Sequence, residues 1–172
     1  EQSAEGGITC TAPFVYGSNP ADPVCSSFLI AGLETWLHTG DPAILREAGS
    51  AFEAWENCLL AHSEDHIVQY SYYGDWAGPA YACRSEEDSH SAATPGIFMS
   101  TGYSYFNCRL LHQFAVEKGD EKAAAHWESV AEQVKNAMLR KWYDAAEGKM
   151  CTGSQGCQAF ALWLGIIPKE DI

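Results

Sequence analysis

One signal, a helix stop followed at once by a helix start, occurs twice in this chain and limits what it can fold into. From Ser26, the apolar residues Phe28, Leu29, Leu33, Trp36 and Leu37 recur at helical spacing as far as His38. Thr39-Gly40-Asp41-Pro42 then ends one helix and begins the next. Gly40 suits the left-handed position after a helix, Asp41 an N-cap, and Pro42 the first helical position. The second helix carries Ile44, Leu45, Phe52, Trp55, Cys58 and Leu59, which makes the pair an αα-hairpin with a tight turn. The arrangement recurs in a helix from about Ser100 to Glu117, a stop at Lys118-Gly119-Asp120, and a restart through Trp127, Val130, Val134, Met138 and Leu139. The two Gly-Asp turns lie 79 positions apart (119 minus 40). A third helix, from about Ser154 through Phe160, Leu162 and Trp163 to Gly165, reads as half of another hairpin. Residues 1–23, rich in Gly, Pro, Ser and Thr, read as a loop-rich leading segment ahead of a helical domain over 24–172.

Periodic hairpins indicate an α-solenoid or a closed α/α barrel. A period near 79 exceeds the roughly 34 to 47 residues of common helical repeats, and the surplus lies in the connections. The one from Ser63 to Gly96 holds Tyr70, Tyr72, Tyr73, Trp76 and Tyr81. Connections of that length in a compact domain are usually functional. A partial barrel leaves apolar helix faces uncovered, so further chain or a second copy is expected to cover them.

Within that connection, Tyr73-Gly74-Asp75-Trp76-Ala77-Gly78-Pro79 joins a carboxylate to an indole at a glycine-bent turn. An aromatic face beside an acid suits a sugar ring, which offers an apolar C–H face and a rim of hydroxyls. The same residues also suit a buried Trp packed on helix ends, with Asp75 as a cap.

Charge removes several classes of partner. Ten basic residues against twenty-three acidic ones give a net charge of −13, which repels phosphate backbones and anionic membranes while leaving neutral sugars open. No apolar run approaches the roughly 20 residues of a membrane span. Glu1 to Glu5 shows no signal-peptide pattern and no initiator Met, so the chain reads as excised from something longer. Seven scattered cysteines without a Cys-x-x-Cys pair read as free thiols of a reducing cytoplasm. The six-residue spacing of Cys151 and Cys157 is no evidence of a bond between them. Cys58, His62 and His66 fall at i, i+4 and i+8, but the helix is expected to end near Ala61 and no fourth ligand is evident. No metal and no cofactor are expected. Asp88-Ser89-His90 and the acids Glu86 and Glu87 read as a solvated loop, since adjacency in sequence does not assemble a catalytic triad. His112 and His126 read as structural.

The order of these segments resembles a known family. It runs Thr39-Gly40-Asp41, Tyr73-Gly74-Asp75-Trp76, Thr94-Pro95, Ser100-Thr101-Gly102-Tyr103 and Gly119-Asp120. Lys141-Trp142-Tyr143-Asp144, Gly148-Lys149-Met150, Ser154-Gln155 and Leu162-Trp163-Leu164-Gly165-Ile166-Ile167-Pro168 follow. This resembles the six-hairpin catalytic domain of the family 78 glycoside hydrolases, the bacterial α-L-rhamnosidases, over roughly residues 24–172. The resemblance implies an all-α, partial (α/α)6 barrel of about two and a half hairpins, whose loops form a sugar pocket at one end. It implies hydrolysis of terminal α-L-rhamnosides with inversion, in which one carboxylic acid protonates the leaving oxygen and one carboxylate activates water, about 6.5–9.5 Å apart. The family's acid motif, Arg-Asp-Glu…Gly-Trp, and its later base Glu have no counterpart here, so no catalytic residue is assigned. Substrate binding is assigned to Asp75, Trp76, Tyr73 and Phe28: Trp76 would cover a rhamnose face and Asp75 would take hydroxyl hydrogen bonds. Many members carry a Trp or Asp near 24–28, where this chain has Val24, Cys25, Ser26, Ser27 and Phe28, leaving Phe28 as the aromatic substitute. Two alternatives stand beside this reading. One is a six-hairpin glycosidase of another sugar specificity, and the other is a silent carbohydrate-binding or helical interaction module.

Overall fold

In a computed structural model, residues 2–9, 23–69, 71, 74 and 92–172 are described. Their architecture follows from how the two hairpins close. The first hairpin joins α1 (Pro23–Thr39) to α2 (Ala43–Ala61). Gly40 has a φ of 68°, and its N–H donates to the Trp36 carbonyl at 2.8 Å. Pro42 takes the N-cap position expected for Asp41, yet the Asp41 carboxylate still accepts from the Ala43 N–H at 2.9 Å. The second hairpin joins α3 (Gly96–Lys118) to α4 (Glu121–Trp142) through Gly119, with a φ of 72°. There the Gly119 and Asp120 amides donate to Val116 and Ala115 carbonyls at 3.0 and 2.9 Å, the paired bonds of a Schellman stop. Asp120 then caps α4 by accepting from the Ala123 N–H at 3.0 Å. The fifth helix, α5 (Gln155–Leu164), is capped by Ser154 and stopped by Gly165 at φ 68°.

Helix α3 begins four residues ahead of the expected Ser100, directly after Pro95. Thr94-Pro95-Gly96 reads as a turn in sequence, but a proline ahead of a helix needs no N–H there, and Ile97 and Phe98 extend the helix upstream. Among the described residues a short hairpin follows the second helix of each unit; the residues after Asp65 read as strand-like in the sequence, and the second hairpin was absent from that reading. Strands β1 (Ser63–Glu64) and β2 (Ile67–Val68) pair antiparallel, as do β3 (Tyr143–Asp144) and β4 (Lys149–Met150). Asp65 and His66 turn the first at φ 47° and 62°, a mirror-image turn that matches strand twist. Val68 ties that hairpin to α3 by donating its N–H to Thr101 Oγ1 at 3.1 Å.

Helices α1, α3 and α5 run parallel: Ser26 meets Asn107 and Trp36 meets Phe114, while Ser154 meets Thr94 and Trp163 meets Phe106. Helix α3 lies between α1 and α5 and also packs against α2 and α4. Both tight turns therefore lie at one end, and the N-termini of α1, α3 and α5 lie at the other with the long connections. The core is one cluster that includes Leu29, Leu45, Phe52, Trp55, Phe98, Leu111, Val134, Met138 and Leu164. The leading segment docks on α2: Gln2 Nε2 donates to the Ala51 carbonyl at 2.9 Å, and a Cβ on Gly6 would fall 2.1 Å from the Ala54 oxygen. On α5, Leu162 and Trp163 are 53% and 57% exposed, with Trp163 against Phe106 at 4.7 Å and Phe160 at 5.8 Å between ring centroids.

The α3–α5 approach depends on Gly102, where an added Cβ would lie 2.3 Å from Phe160 Cε1 and 2.9 Å from Leu164 Cδ1. Gly102→Ala is expected to destabilise by about 1–3 kcal/mol through overpacking, read as a lower urea midpoint with an unchanged slope. An unaltered midpoint would mean that α5 moves away freely.

Candidate functional site

The end at which α1, α3 and α5 begin is where the sequence reading places its sugar-binding loop. Of the four residues proposed there, Tyr73, Asp75 and Trp76 lie outside the described residues. Gly74, between them, is described. It is buried with a φ of 64°, and a Cβ on it would lie 2.5 Å from Gly96 Cα and 2.8 Å from Gly96 N. Two glycines therefore meet backbone to backbone, and the turn rests on the first residue of α3. Both conditions, left-handed φ and no room for a side chain, demand glycine. The facing position is as tight: a Cβ on Gly96 would lie 2.4 Å from Ser71 Oγ.

The segment entering α3 is joined to the one entering α5. Thr94 Oγ1 and Ser154 Oγ are 3.2 Å apart, and Thr152 Oγ1 donates to the Ala93 carbonyl. The fourth proposed residue, Phe28, sits near the start of α1. It is half-buried, with its ring edge-on to Phe52 at 4.7 Å between centroids, so part of its surface serves the α1–α2 contact.

Near the middle of α3, at Ser104 and Asn107, is a polar cluster that sequence reasoning missed. Glu56 of α2 is fully buried. Its Oε1 accepts from Ser104 Oγ and, at 3.5 Å, from Cys108 Sγ, while Oε2 accepts from Asn107 Nδ2 at 3.0 Å. Asn107 Nδ2 also donates to Ser26 Oγ of α1 at 3.3 Å, so the cluster joins α1, α2 and α3. Burial pushes the Glu56 carboxyl up to about 8, outweighing the hydrogen bonds from Ser104, Asn107 and Cys108 that favour the ion. Glu56 thus carries a proton at neutral pH. Asn107 Oδ1 is buried with no partner among the described residues. Turning the amide end for end would present that oxygen to the Glu56 proton. The available signal was an acid at i+4 from Phe52 on the apolar stripe of α2, between Trp55 and Leu59.

Sealed from solvent, Glu56 cannot touch a sugar, and its role is to fasten the helices beneath the loop end. The groove of about 430 Å³ lined by Tyr105, Arg109, His112, Glu128 and Glu132 follows the half of α3 that leads to Gly119. It is not at the loop end, and its volume alone does not make it the site. At the other candidate cluster, Cys58 Sγ lies 3.9 Å from His62 Nδ1, whereas His66 occupies the β1–β2 turn beyond the end of α2 at Ala61. Among the described residues no group of three or more His, Cys, Asp or Glu could hold a metal. No helix among them is long and apolar enough to cross a membrane.

Residues 1–172 match the family model described as the bacterial α-L-rhamnosidase six-hairpin glycosidase domain. The chain belongs to this family. An α-L-rhamnosidase of Alteromonas sp. (strain LOR) is 22% identical over 177 residues, which cover 100% of this chain and 19% of that protein. The α-L-rhamnosidase of Dictyoglumus thermophilum superposes with a TM-score of 0.88 at 22% identity, over 99% of this chain and 19% of that one. The enzyme of Streptomyces avermitilis, solved with L-rhamnose, gives 0.82 at 20% identity, over 98% and 15% respectively. The chain thus spans about a fifth of the length of the relatives it matches, 19% in the curated case. The partial six-hairpin architecture expected from the sequence is the architecture found.

The Glu56 cluster makes stability depend on pH. The folded carboxyl titrates near 8 and the unfolded one near 4.5. The contribution is therefore complete below pH 4.5 and is lost as the pH rises towards 8, at up to about 1.4 kcal/mol per pH unit. Glu56→Gln, which stays neutral, is expected to flatten that decline, so its urea midpoint should exceed that of the wild type by more at pH 8 than at pH 5. Parallel pH profiles for the two proteins would refute a protonated Glu56.

Proposed function

We propose that this chain forms part of the sugar pocket of a glycoside hydrolase that cleaves terminal α-L-rhamnosides with inversion. The observation that carries the proposal is the seating of Gly74, the glycine of the Gly-Asp-Trp segment, on Gly96 at the start of α3. Family membership and relatives described as α-L-rhamnosidases support the substrate class. In this reading Trp76 covers the apolar face of the sugar, Asp75 accepts from its hydroxyls, and Tyr73 and Phe28 complete the aromatic wall. No general acid or base is assigned within residues 1–172, and Glu56, the one buried carboxylate among the described residues, is sealed off. The partner is a small neutral sugar. The net charge of −13 argues against nucleic acid and anionic membranes. The free thiols Cys58, Cys108, Cys151 and Cys157 suit a reducing cytoplasm. The exposed Leu162 and Trp163 face is one that further hairpins or a second copy would cover.

The full-length protein assayed against a panel of nitrophenyl glycosides should release nitrophenol from the α-L-rhamnoside, with the β-anomer of rhamnose as the first-formed product. Release from a different sugar would move the assignment to another six-hairpin specificity, and release from none would indicate a silent binding module. Trp76→Ala should weaken rhamnose binding several-fold while leaving helicity intact. Gly74→Ala, which forces the turn off α3 without touching the proposed contacts, should lower kcat/KM by roughly 10²-fold through misplacement. Full activity in both variants would remove this turn from the pocket.

A further inference from the structure

Helix α3 starts after Pro95 with no capping side chain, whereas Asp120 caps α4 and Ser154 caps α5. Its start is held from outside, by the turn between β4 and α5. Thr152 Oγ1 and Cys157 Sγ both donate to the Ala93 carbonyl, the sulfur at 3.5 Å. Ser154 Oγ lies 3.2 Å from Thr94 Oγ1. The Ser154 oxygen already accepts from the Cys157 N–H at 3.2 Å, which leaves the hydroxyl proton available for Thr94. One turn thus reaches two successive residues, Ala93 and the buried Thr94. Pro95 and Gly96 come next in the chain, and Gly74 rests on Gly96.

The turn that reaches across is itself fixed. The Cys151 N–H donates to the Trp142 carbonyl at 2.8 Å, at the end of α4, and the Gly153 N–H to the Met150 carbonyl at 3.0 Å. Gln158 of α5 accepts from the Met150 N–H at 2.7 Å and donates to the Gly148 carbonyl at 2.9 Å. The Ser154 N–H donates to Thr152 Oγ1 at 3.3 Å, so that oxygen accepts from its own turn and gives its proton to Ala93. A thiol is a weak donor, and without the Thr152 hydroxyl the Ala93 carbonyl would keep only the weaker of its two bonds from this turn.

We propose that Thr152 and Ser154 are positioning residues: they fix the start of α3 through Ala93 and Thr94, and with it the seat on which Gly74 rests. Given the reading above that the segment around Gly74 belongs to the sugar pocket, both act on the reaction through Gly96 and Gly74. Small displacements of binding groups are costly to catalysis, so a hydroxyl at this remove is felt in the rate.

The test uses the full-length protein and the nitrophenyl glycoside it cleaves. Thr152→Val keeps the shape of the side chain and removes the hydroxyl, and it should lower kcat/KM roughly tenfold with helicity intact. Thr152→Ser, which restores the hydroxyl, should return kcat/KM to the wild-type value. In the Gly74→Ala background Thr152→Val should cost nothing further, because the seat it supports is already lost; independent damage would instead multiply. Full kcat/KM in Thr152→Val, no rescue by serine, or multiplied losses in the double variant would overturn the proposal. A wild type that cleaves no glycoside would remove the pocket reading, and amide exchange then decides the clamp. The Phe98 and Met99 N–H groups donate to the Pro95 carbonyl at 3.1 and 3.2 Å, in the first turn of α3. Their exchange should be several-fold faster in Thr152→Val than in the wild type, with the amides of α4 unchanged. Equal exchange in the two proteins would overturn the clamp.

Discussion

A helix with neighbours on several sides has little room for side chains, and α3 is in that position. It meets α1, α2, α4 and α5, and it buries Gly96, Ser100, Thr101, Gly102, Ser104 and Asn107 along with its apolar residues. Small residues allow the close approach. Gly96 admits Ser71 and the turn at Gly74, and Gly102 admits Phe160. Hydroxyls and an amide brought in this way need partners, and they find them across helices: Ser104 and Asn107 at Glu56, Thr101 at Val68. Those bonds set the height at which each neighbour meets α3, with the first turn of α1 held at the middle of α3 through Ser26 and Asn107.

The same property explains what could be read from the sequence. The Gly-Asp turns were legible because their chemistry is local: a left-handed glycine, a capping carboxylate and an apolar face that stops and restarts. The ends of α1, α2, α4 and α5 fell within a few residues of expectation for that reason. The start of α3 did not, because a helix enclosed on several sides lacks a polar face to contrast with its apolar one, and Pro95-Gly96 imitates a turn. Of the two-residue strands only the residues after Asp65 read as strand-like, and the hairpins themselves were not foreseen, since strands of that length leave no alternation to detect. Glu56 was passed over because the pattern of α2 was read from its apolar members, and a neutral acid fits among them only once Ser104 and Asn107 are known to face it.

The candidate site was legible as a type of segment. A long aromatic connection could be recognised by length and composition, but its seat on the fold required the contact between Gly74 and Gly96. That contact places Gly74 at the start of α3, and the sugar contacts of Tyr73, Asp75 and Trp76 are a proposal tied to the assay and the variants. The family assignment rests on firmer ground, since the match runs from end to end of the chain.

The parallel course of α1, α3 and α5 has an electrostatic consequence. Each helix carries a macrodipole equivalent to roughly half a positive charge at its N-terminus. At the loop end the N-termini of α3 and α5 lie among the C-termini of α2 and α4, so positive and negative helix ends alternate around Gly74 and Ser154. A carboxylate placed within the first turn of α3 or α5 would find the same amide support that the Asp120 carboxylate takes from the Ala123 N–H at the opposite end, where α4 begins.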